Sequence, residues 1–240
     1  MQRSLTASGL TKTYGPLMAL DDVSLTVRKG ELLGLIGPNG AGKTTLFECL
    51  AGLLPYDRGT IAVDGEALTH RRRAAQLFYV PDAVAPWPAE TLRWAIEFTL
   101  GFFGGDASRR DEVIEGMNLA SFLDAPIGTL SKGQRKRAVL GMGLLTPQPL
   151  LLADEPFDGL DLRQTRDVGA ALRAHAEAGR TLFLSIHQIS DASRVCDRFV
   201  LLSGGRVCGE GTLDELSRAA ATRGAQPASS SLEDVFLALT

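Results

Sequence analysis

The segment GPNGAGKTT, at residues 37–45, carries the strongest chemical signal in the sequence. It satisfies the pattern G-x-x-x-x-G-K-[ST] between the apolar run ELLGLIG and the helical pattern TTLFECLAGLL. In such a turn, backbone N–H groups and the start of the following helix bind phosphate oxygens. We therefore expect Lys43 to bridge the β- and γ-phosphates of a nucleotide and Thr44 to offer its hydroxyl to Mg²⁺. The predicted phosphate-binding residues are Gly37, Pro38, Asn39, Gly40, Ala41, Gly42, Lys43, Thr44 and Thr45.

Two adjacent carboxylates, Asp154 and Glu155, follow a second apolar run in LLLADEP. At a strand end, Asp154 is expected to reach the metal ion shared with Thr44, while Glu155 polarises a water molecule as a general base. An acidic N-cap for the following helix is the ordinary alternative for this pair. The phosphate motif upstream favours the catalytic interpretation.

His187 follows a third apolar run, TLFLSI. Its imidazole is expected to hydrogen-bond the γ-phosphate and hold the attacking water. A lone histidine is more often structural, and only its position relative to the other motifs favours this role. The predicted catalytic residues are therefore Lys43, Glu155 and His187.

The segment TLSKGQRKR contains four cationic side chains, at positions 132, 135, 136 and 137. The cluster alone is compatible with a nucleic-acid patch, a solvated helix face or half of a phosphate site. The formal net charge of −3 and the shortness of the basic clusters disfavour nucleic acid. Arg135, Lys136 and Arg137 are expected largely on the helix surface, and the solvated helix face is expected for at least two of the four cations.

The pattern of apolar runs predicts an α/β fold. Residues 1–35 form alternating segments broken by Gly and Asp, which favours antiparallel strands. Farther on, apolar runs of strand length alternate with helical patterns, which implies a mostly parallel sheet with helices on both faces. Two hairpins are predicted, in GTIAVDGEAL and FVLLSGGRVCGEG.

We predict one domain over residues 1–240, with a helical subdomain inserted at 83–140 that contains TLSKGQ. A polar linker and a short terminal helix are predicted at 218–240, the helix capped by Ser231. The three cysteines lack metal-binding spacing and are expected as reduced thiols. The N-terminus lacks the apolar core of a signal peptide. The sequence contains no uninterrupted run of about 18 apolar residues, so no membrane span is predicted.

The ordered set GPNGAGKTT, LSKGQ, LLLADEP, FDGLD and SIH resembles the ATP-binding cassette of ABC transporters over nearly the whole chain. The resemblance implies a P-loop NTPase core, ATP and Mg²⁺ as cofactors, and ATP hydrolysis coupled to transport. It also implies two copies joined head to tail, an integral membrane permease subunit as partner, no nucleic acid, and a location at the cytoplasmic face of the membrane.

Further site residues are carried over through the resemblance alone. Ser131, Gly133 and Gln134 are expected to contact the γ-phosphate of ATP bound to the partner's P-loop, although Lys132 stands where the commonest signature has Gly. Tyr14 resembles the aromatic residue that stacks on adenine, with ordinary packing as the alternative. Asp161 resembles the residue that couples the two sites, with a helix cap as the alternative.

One position departs from the family pattern. In FYVPD, Asp82 stands where the family usually has Gln. An acidic residue there is familiar in the exporter-like, drug-resistance and multidrug branch, which the ending SLEDVFLALT also resembles. A carboxylate can bind Mg²⁺ directly or through water, and an exposed turn residue is the alternative. The predicted metal ligands are thus Thr44, Asp82 and Asp154.

Trp87 and Trp94 lie beside prolines and suggest a docking surface for a membrane subunit, with burial in the core favoured for Trp94.

Two other functions stay open. A soluble ABC ATPase acting on ribosomes or DNA would co-purify with nucleic acid, but it usually has two cassettes or a long coiled-coil insertion. A P-loop kinase would stay active after Ser131→Arg.

Overall fold

The computed structural model describes residues 4–222 and 231–240. Within these ranges the chain forms ten strands: β1 (Ser4–Tyr14), β2 (Leu17–Arg28), β3 (Leu32–Ile36), β4 (Arg58–Val63), β5 (Glu66–Ala67), β6 (Leu77–Val80), β7 (Leu150–Asp154), β8 (Thr181–Ile186), β9 (Arg198–Ser203) and β10 (Arg206–Gly211). The same ranges contain nine α-helices: α1 (Lys43–Ala51), α2 (His70–Gln76), α3 (Leu92–Phe103), α4 (Arg110–Gly116), α5 (Lys132–Leu145), α6 (Leu162–Glu177), α7 (Ile189–Val195), α8 (Leu213–Thr222) and α9 (Leu232–Leu239).

The central sheet has the order β10-β9-β3-β8-β7-β6. All its pairings are parallel except that of β9 with β10. The chain crosses through helices between the parallel strands, because parallel neighbours cannot be joined by a tight turn. The predicted α/β class with a mostly parallel sheet is confirmed.

The central sheet is buried on both faces, so its strands are apolar without alternation. In β7, Leu151 and Ala153 join the core beneath the helices α3–α7, and Leu150 and Leu152 join the opposite core. That opposite core also contains Phe47 of α1 and the inner residues of β1 and β2. One face is therefore covered by helices, and the other by α1 together with the antiparallel sheet.

The N-terminal strands form a second, antiparallel sheet in the order β2-β1-β4-β5. Both predicted hairpins are present. Asp64 and Gly65, with φ of 55° and 79°, connect β4 to β5, and Gly204 and Gly205, with φ of 54° and 76°, connect β9 to β10. Two consecutive residues with positive φ are typical of the two-residue hairpin turn.

The chain between β6 and β7 contains α3, α4 and α5. The end of α5 is held by Arg180, whose guanidinium donates to Gly143 O at 2.9 Å and to Thr146 Oγ1 at 2.8 Å. A cation at this end satisfies carbonyls that lack helical partners and opposes the helix dipole. The start of β8 thereby fixes the C-terminal end of α5.

The C-terminal part differs from the prediction at one point. Residues 218–222, assigned to a linker, continue α8 because Leu216 and Ala220 lie four residues apart and are both buried. Residues 223–230 lie outside the described part of the chain. The predicted capped helix is present as α9, where the Ser231 side chain accepts from Asp234 N.

None of the helices in the described ranges has the length and apolar character that a membrane crossing needs.

A buried histidine near the end of α6 lies close to two arginines. His175 is only 3% exposed, and its Nδ1 lies 3.0 Å from the Arg109 guanidinium. Arginine can only donate, so Nδ1 accepts and the ring is neutral. Burial, and then the charges of Arg109 and Arg180, lower the pKa of His175 from 6.5 to about 3.

This shift predicts an acid-sensitive fold. Between pH 6.5 and 3 the unfolded chain binds a proton at His175 that the folded chain does not, so stability decreases as the pH falls through that window. From pH 7 to pH 5 the histidine should contribute a loss of about 2 kcal/mol in the free energy of unfolding. Urea unfolding at both values should show a loss smaller by about that amount in His175→Gln. Equal losses in the two proteins would contradict the assignment.

Candidate nucleotide-binding site

The candidate site lies at the carboxyl ends of four neighbouring parallel strands. Strands β3, β8, β7 and β6 lie side by side, and each is followed by a predicted site segment. The glycine-rich turn follows β3, His187 follows β8, Glu155 follows β7 and Asp82 follows β6. This edge of an open α/β sheet is where ligands bind, because its loops converge there.

The loops enclose an open groove that contains most of the predicted residues. Its lining includes eleven of them: Tyr14, Pro38, Asn39, Gly40, Gly42, Lys43, Thr44, Thr45, Asp82, Asp154 and Glu155. Gly37 and Ala41 belong to the turn beneath the lining. Gly37 accepts a hydrogen bond from Lys43 through its carbonyl, and the Ala41 carbonyl accepts one from Gly205 N.

The glycine-rich turn ends in a residue that only glycine suits. Gly42 has φ of 105°, and a Cβ there would lie 2.5 Å from Ala19 O. Helix α1 starts at the next residue, so its unpaired N–H groups face the groove. Lys43 curls back across the turn, and its ammonium donates to Gly37 O at 2.8 Å and to Pro38 O at 3.3 Å.

The carboxylate of Asp154 is buried at the floor of the groove, with 1% exposure. It accepts from Thr44 Oγ1 at 2.7 Å, from Ser185 Oγ and, more distantly, from Tyr79 OH at 3.4 Å. Burial, and then the charge of Asp154, raise the pKa of Tyr79, so the phenol stays protonated and donates. Asp154 is thus held by neutral hydroxyls.

The donor set around Asp154 fits Mg²⁺. The Thr44 hydroxyl and the Asp154 carboxylate are hard oxygen donors, which magnesium prefers. No cluster of three His, Cys, Asp or Glu capable of holding a metal occurs in residues 4–222 and 231–240. Mg²⁺ is usually bound by one or two carboxylates together with substrate phosphates, so an isolated protein cage is not needed.

Glu155 lies between Lys43 and His187. Its Oε1 is 3.3 Å from Lys43 Nζ, and its Oε2 is 2.7 Å from His187 Nδ1 and 3.1 Å from His187 N. The backbone of Glu155 has φ of 48°, a region rare for residues with a side chain. Its N–H donates to Ser185 Oγ at 3.0 Å, which supports this strained conformation. The three predicted catalytic residues are therefore in contact.

The remaining predicted residues do not line the groove. Ser131 is exposed at the start of α5, and it forms a capping box with Gln134 in which each side chain accepts from the other's backbone N–H. Gly133 is buried, and a Cβ there would lie 2.9 Å from Gly159 O. Asp161 caps α6 by accepting from Gln164 N at 2.8 Å, which is the alternative that its sequence context offered.

The prediction of a solvated basic face on α5 was wrong. Lys136 and Arg137 are buried, with 6% and 8% exposure, and Arg135 is half-buried. Arg137 donates to Met117 O and Asn118 O, both at 3.0 Å, and Lys132 alone is exposed, with its ammonium 2.6 Å from Asp158 Oδ2. A single basic run contains no pattern that separates buried from exposed cations, because long side chains can turn back into the fold.

The expectation that Trp94 is buried in the core was also wrong. Its side chain is 40% exposed and stacks on Phe98 with ring centroids 5.1 Å apart. Tyr14 is 45% exposed at the groove. Both residues have ambiguous sequence contexts, because aromatic side chains serve cores and surfaces alike.

Several residues that line the groove or support it from beneath were missed. Ser185 and Tyr79 lie inside apolar strands, where a single polar residue is a weak but usable signal for a hydrogen-bonded role. Gly204 and Gly205 line the groove through the β9–β10 turn, and Gly205 N donates to Ala41 O. Leu17 and Met18 lie there beside Tyr14 and are 64% and 48% exposed. Such long-range proximity has no local signal.

Comparison with known proteins agrees with this geometry. Residues 20–158, from β2 to just past Glu155, match the family described as ABC transporter. The chain belongs to the ABC transporter ATP-binding family. It is an ATP-binding subunit of a transporter, and its enzymatic activity is ATP hydrolysis coupled to transport.

Individual proteins and solved structures are similar to this ABC subunit over most of its length. It is 33% identical over 219 residues to the Nod factor export ATP-binding protein I of Ralstonia nicotianae, covering 88% of this chain and 68% of that protein. It is 31% identical to the lipopolysaccharide export system ATP-binding protein LptB of Haemophilus influenzae, covering 88% and 92% of the two chains. A solved ATP-binding subunit of an ABC transporter superposes with a TM-score of 0.84 at 30% identity, covering 98% of each chain.

Ser185 contacts both Asp154 and the Glu155 backbone, so its hydroxyl is expected to stabilise the fold. Ser185→Ala removes a donor to the buried Asp154 carboxylate and an acceptor for Glu155 N, so it should lower the free energy of unfolding by about 1–3 kcal/mol. Urea denaturation measures this change. Ser193→Ala, which removes an exposed hydroxyl bonded to Ser190 O in α7, is the matched control and should change stability by less than about 0.5 kcal/mol. Equal effects of the two variants would show that the Ser185 contacts are not needed.

Proposed function

We propose that this subunit binds Mg-ATP in the groove, pairs head to tail with a second copy, and powers transport through a separate membrane subunit. The observation that carries the proposal is the convergence of Lys43, Thr44, Asp154 and Glu155 in one groove at the sheet edge. Each has the chemistry that phosphoryl transfer needs, namely a cation for phosphate, oxygen donors for a metal and a base for water.

Binding begins with the phosphates. The turn at 37–42 and the start of α1 provide N–H groups, and Lys43 provides a charge that here interacts with Glu155 at 3.3 Å. Phosphate oxygens would compete with Glu155 for that ammonium. The half-exposed ring of Tyr14, beside Leu17 and Met18, is a suitable apolar surface for adenine.

Mg²⁺ supplies charge neutralisation at the phosphates when bound. Thr44 and Asp154 would hold the ion, and their mutual hydrogen bond keeps both oxygens at one point of the floor. Asp82, the third ligand that the sequence predicts, also lines the groove, but its carboxylate is paired with Lys136.

Hydrolysis requires a base next to the γ-phosphate. Glu155 is proposed as that base, because its carboxylate lies beside Lys43 and is only 16% exposed. His187 contacts the other carboxylate oxygen through both its ring and its backbone N–H, so it orients Glu155. Removing a general base typically costs 100- to 10,000-fold in rate.

A second copy is proposed because the exposed start of α5 lies outside the groove. Ser131 and the first N–H groups of this 14-residue helix form an anion-binding end that the groove of the same chain does not use. Head-to-tail pairing across a two-fold axis would bring each such end to the other copy's groove. Lys132, exposed beside Ser131, carries a positive charge that Asp158 balances within the same chain.

The membrane partner is proposed to dock on an aromatic surface formed by Trp87, Trp94, Phe98 and Phe102. Phe98 contacts the other three rings, with centroid distances of 4.9, 5.1 and 5.6 Å, and all four side chains are 38% exposed or more. An exposed apolar patch of this kind marks a binding surface. The export proteins among the relatives support an exporter at the cytoplasmic face of a membrane.

Glu155→Gln tests the catalytic proposal. It should reduce ATP hydrolysis by about 100-fold or more while leaving ATP binding intact, because the amide keeps the size of the side chain and loses its basicity. With ATP and Mg²⁺, light scattering after size exclusion should show twice the monomer mass. Glu112→Gln, at an exposed carboxylate on α4, is the control and should hydrolyse ATP at the wild-type rate. Wild-type turnover in Glu155→Gln would refute the base assignment.

A double variant, Trp94→Ser with Phe98→Ser, tests the docking surface. It should lower the fraction of the subunit that sediments with native membranes by about tenfold, because aromatic residues dominate interface energies. ATPase activity of the isolated subunit should persist. Leu237→Ser, which removes an even more exposed apolar side chain from α9, should sediment normally. Unchanged sedimentation of the double variant would exclude this surface.

A further inference from the structure

Asp82 joins the groove to α5. It follows β6 and lines the groove with Asp154 and Glu155. Its carboxylate accepts from Lys136 Nζ at 2.5 Å, and its backbone carbonyl accepts from the same ammonium at 2.9 Å. A residue that faces the groove therefore also holds the second turn of the helix that Ser131 caps.

The two members of this ion pair differ in burial. The Lys136 side chain is 4% exposed, whereas that of Asp82 is 42% exposed. A buried ammonium is costly unless an anion balances it. Within the described part of the chain, Asp82 is the only carboxylate that forms an ion pair with Lys136. Asp82 thus supplies the anion that balances the buried ammonium of Lys136, whereas the partly exposed carboxylate of Asp82 can be solvated without Lys136.

The other cations of α5 have separate partners. Lys132 pairs with Asp158, in the loop before α6. Arg135 donates to the Leu130 carbonyl, and Arg137 donates to the carbonyls of Met117 and Asn118. None of these partners lines the groove. The contact between Lys136 and Asp82 is therefore the ion pair through which a change in the groove would reach the start of α5.

We propose that Asp82 and Lys136 form a positioning pair, in which the Asp82 carboxylate holds the capped start of α5 against the rim of the groove and does not serve as a metal ligand. A glutamine here, as the family resemblance would suggest, could accept a hydrogen bond but would leave the buried ammonium unbalanced. The link between this pair and ATP rests on the proposed function. The pair itself concerns only contacts within the chain.

Hydrogen exchange tests the pair in the full chain without nucleotide or metal. Asp82→Asn should accelerate exchange of the amides in residues 131–140 by about tenfold or more, because it leaves Lys136 buried and unpaired. Lys136→Met should accelerate it less, since it leaves only a partly exposed carboxylate. The variant with both substitutions should exchange like Lys136→Met alone, because once Lys136 is replaced there is no ion pair left for Asp82→Asn to break.

Arg93→Gln is the matched control. It breaks an exposed ion pair with Asp124 in the same part of the chain, where the two side chains are 55% and 78% exposed. Exchange in residues 131–140 should be unchanged, as surface pairs contribute little. Wild-type exchange in Asp82→Asn, or additive effects of the two single substitutions, would overturn the proposal.

Mn²⁺ binding in the presence of a non-hydrolysable ATP analogue separates the pair from a metal role. If Asp82 only positions α5, Asp82→Asn and wild type should bind Mn²⁺ with equal affinity. A metal ligand would instead lose about tenfold or more in affinity on this substitution, and that result would overturn the proposal. If the wild type fails to bind the analogue, the proposed function is wrong, and the exchange result still decides the pair.

Discussion

A hydrogen bond between Thr44 and Asp154 joins the two halves of the groove. Thr44 lies in the first turn of α1, which follows β3, and Asp154 ends β7. In the sheet, β8 lies between β3 and β7. Asp154 is almost completely buried, so its charge must be balanced by oriented donors. Those donors are hydroxyls, which can rotate to accommodate a cation. This contact fixes the start of α1 against the end of β7.

The conformation of Glu155 depends on the same strand. In an extended chain, neighbouring side chains point to opposite faces of the sheet. The left-handed backbone at Glu155 ends that alternation, and both carboxylates then face the groove. Ser185 stabilises the pair, because its hydroxyl donates to Asp154 and accepts from Glu155 N. A small polar residue within an apolar strand thus sets the geometry of two acidic groups.

The sequence was sufficient for the features that local patterns encode. The glycine turn, the apolar runs and the hairpin at Asp64 and Gly65 each depend on a few consecutive residues, and these elements lie where they were predicted. It was insufficient where the partner is distant in the chain. Lys136 was expected in solvent because nothing near it indicates that Asp82 lies beside it, and Ser185 was missed because Asp154 lies far upstream. Folding brings such residues together through the strand order, which a single sequence does not reveal.

Helix α5 connects the described surfaces. Its start carries Ser131, its second turn reaches the groove through Lys136, and its end is held by Arg180 at the opposite end of the sheet. A displacement at the groove would thus be transmitted along a helix that is otherwise tightly packed. This arrangement links the groove of one copy to the helix end that is proposed to complete the groove of a second copy.

Mixing two inactive variants tests the proposed two-copy site directly. Lys43→Ala removes the phosphate cation, and Ser131→Arg blocks the capped start of α5, so each protein alone should be inactive. In a head-to-tail pair of the two, one groove retains both an intact Lys43 and an intact Ser131 from the other copy. An equimolar mixture should then recover about a quarter of wild-type ATPase activity, since about half of the pairs are mixed and each has one complete site. A mixture no more active than its components would contradict a nucleotide site built from two copies.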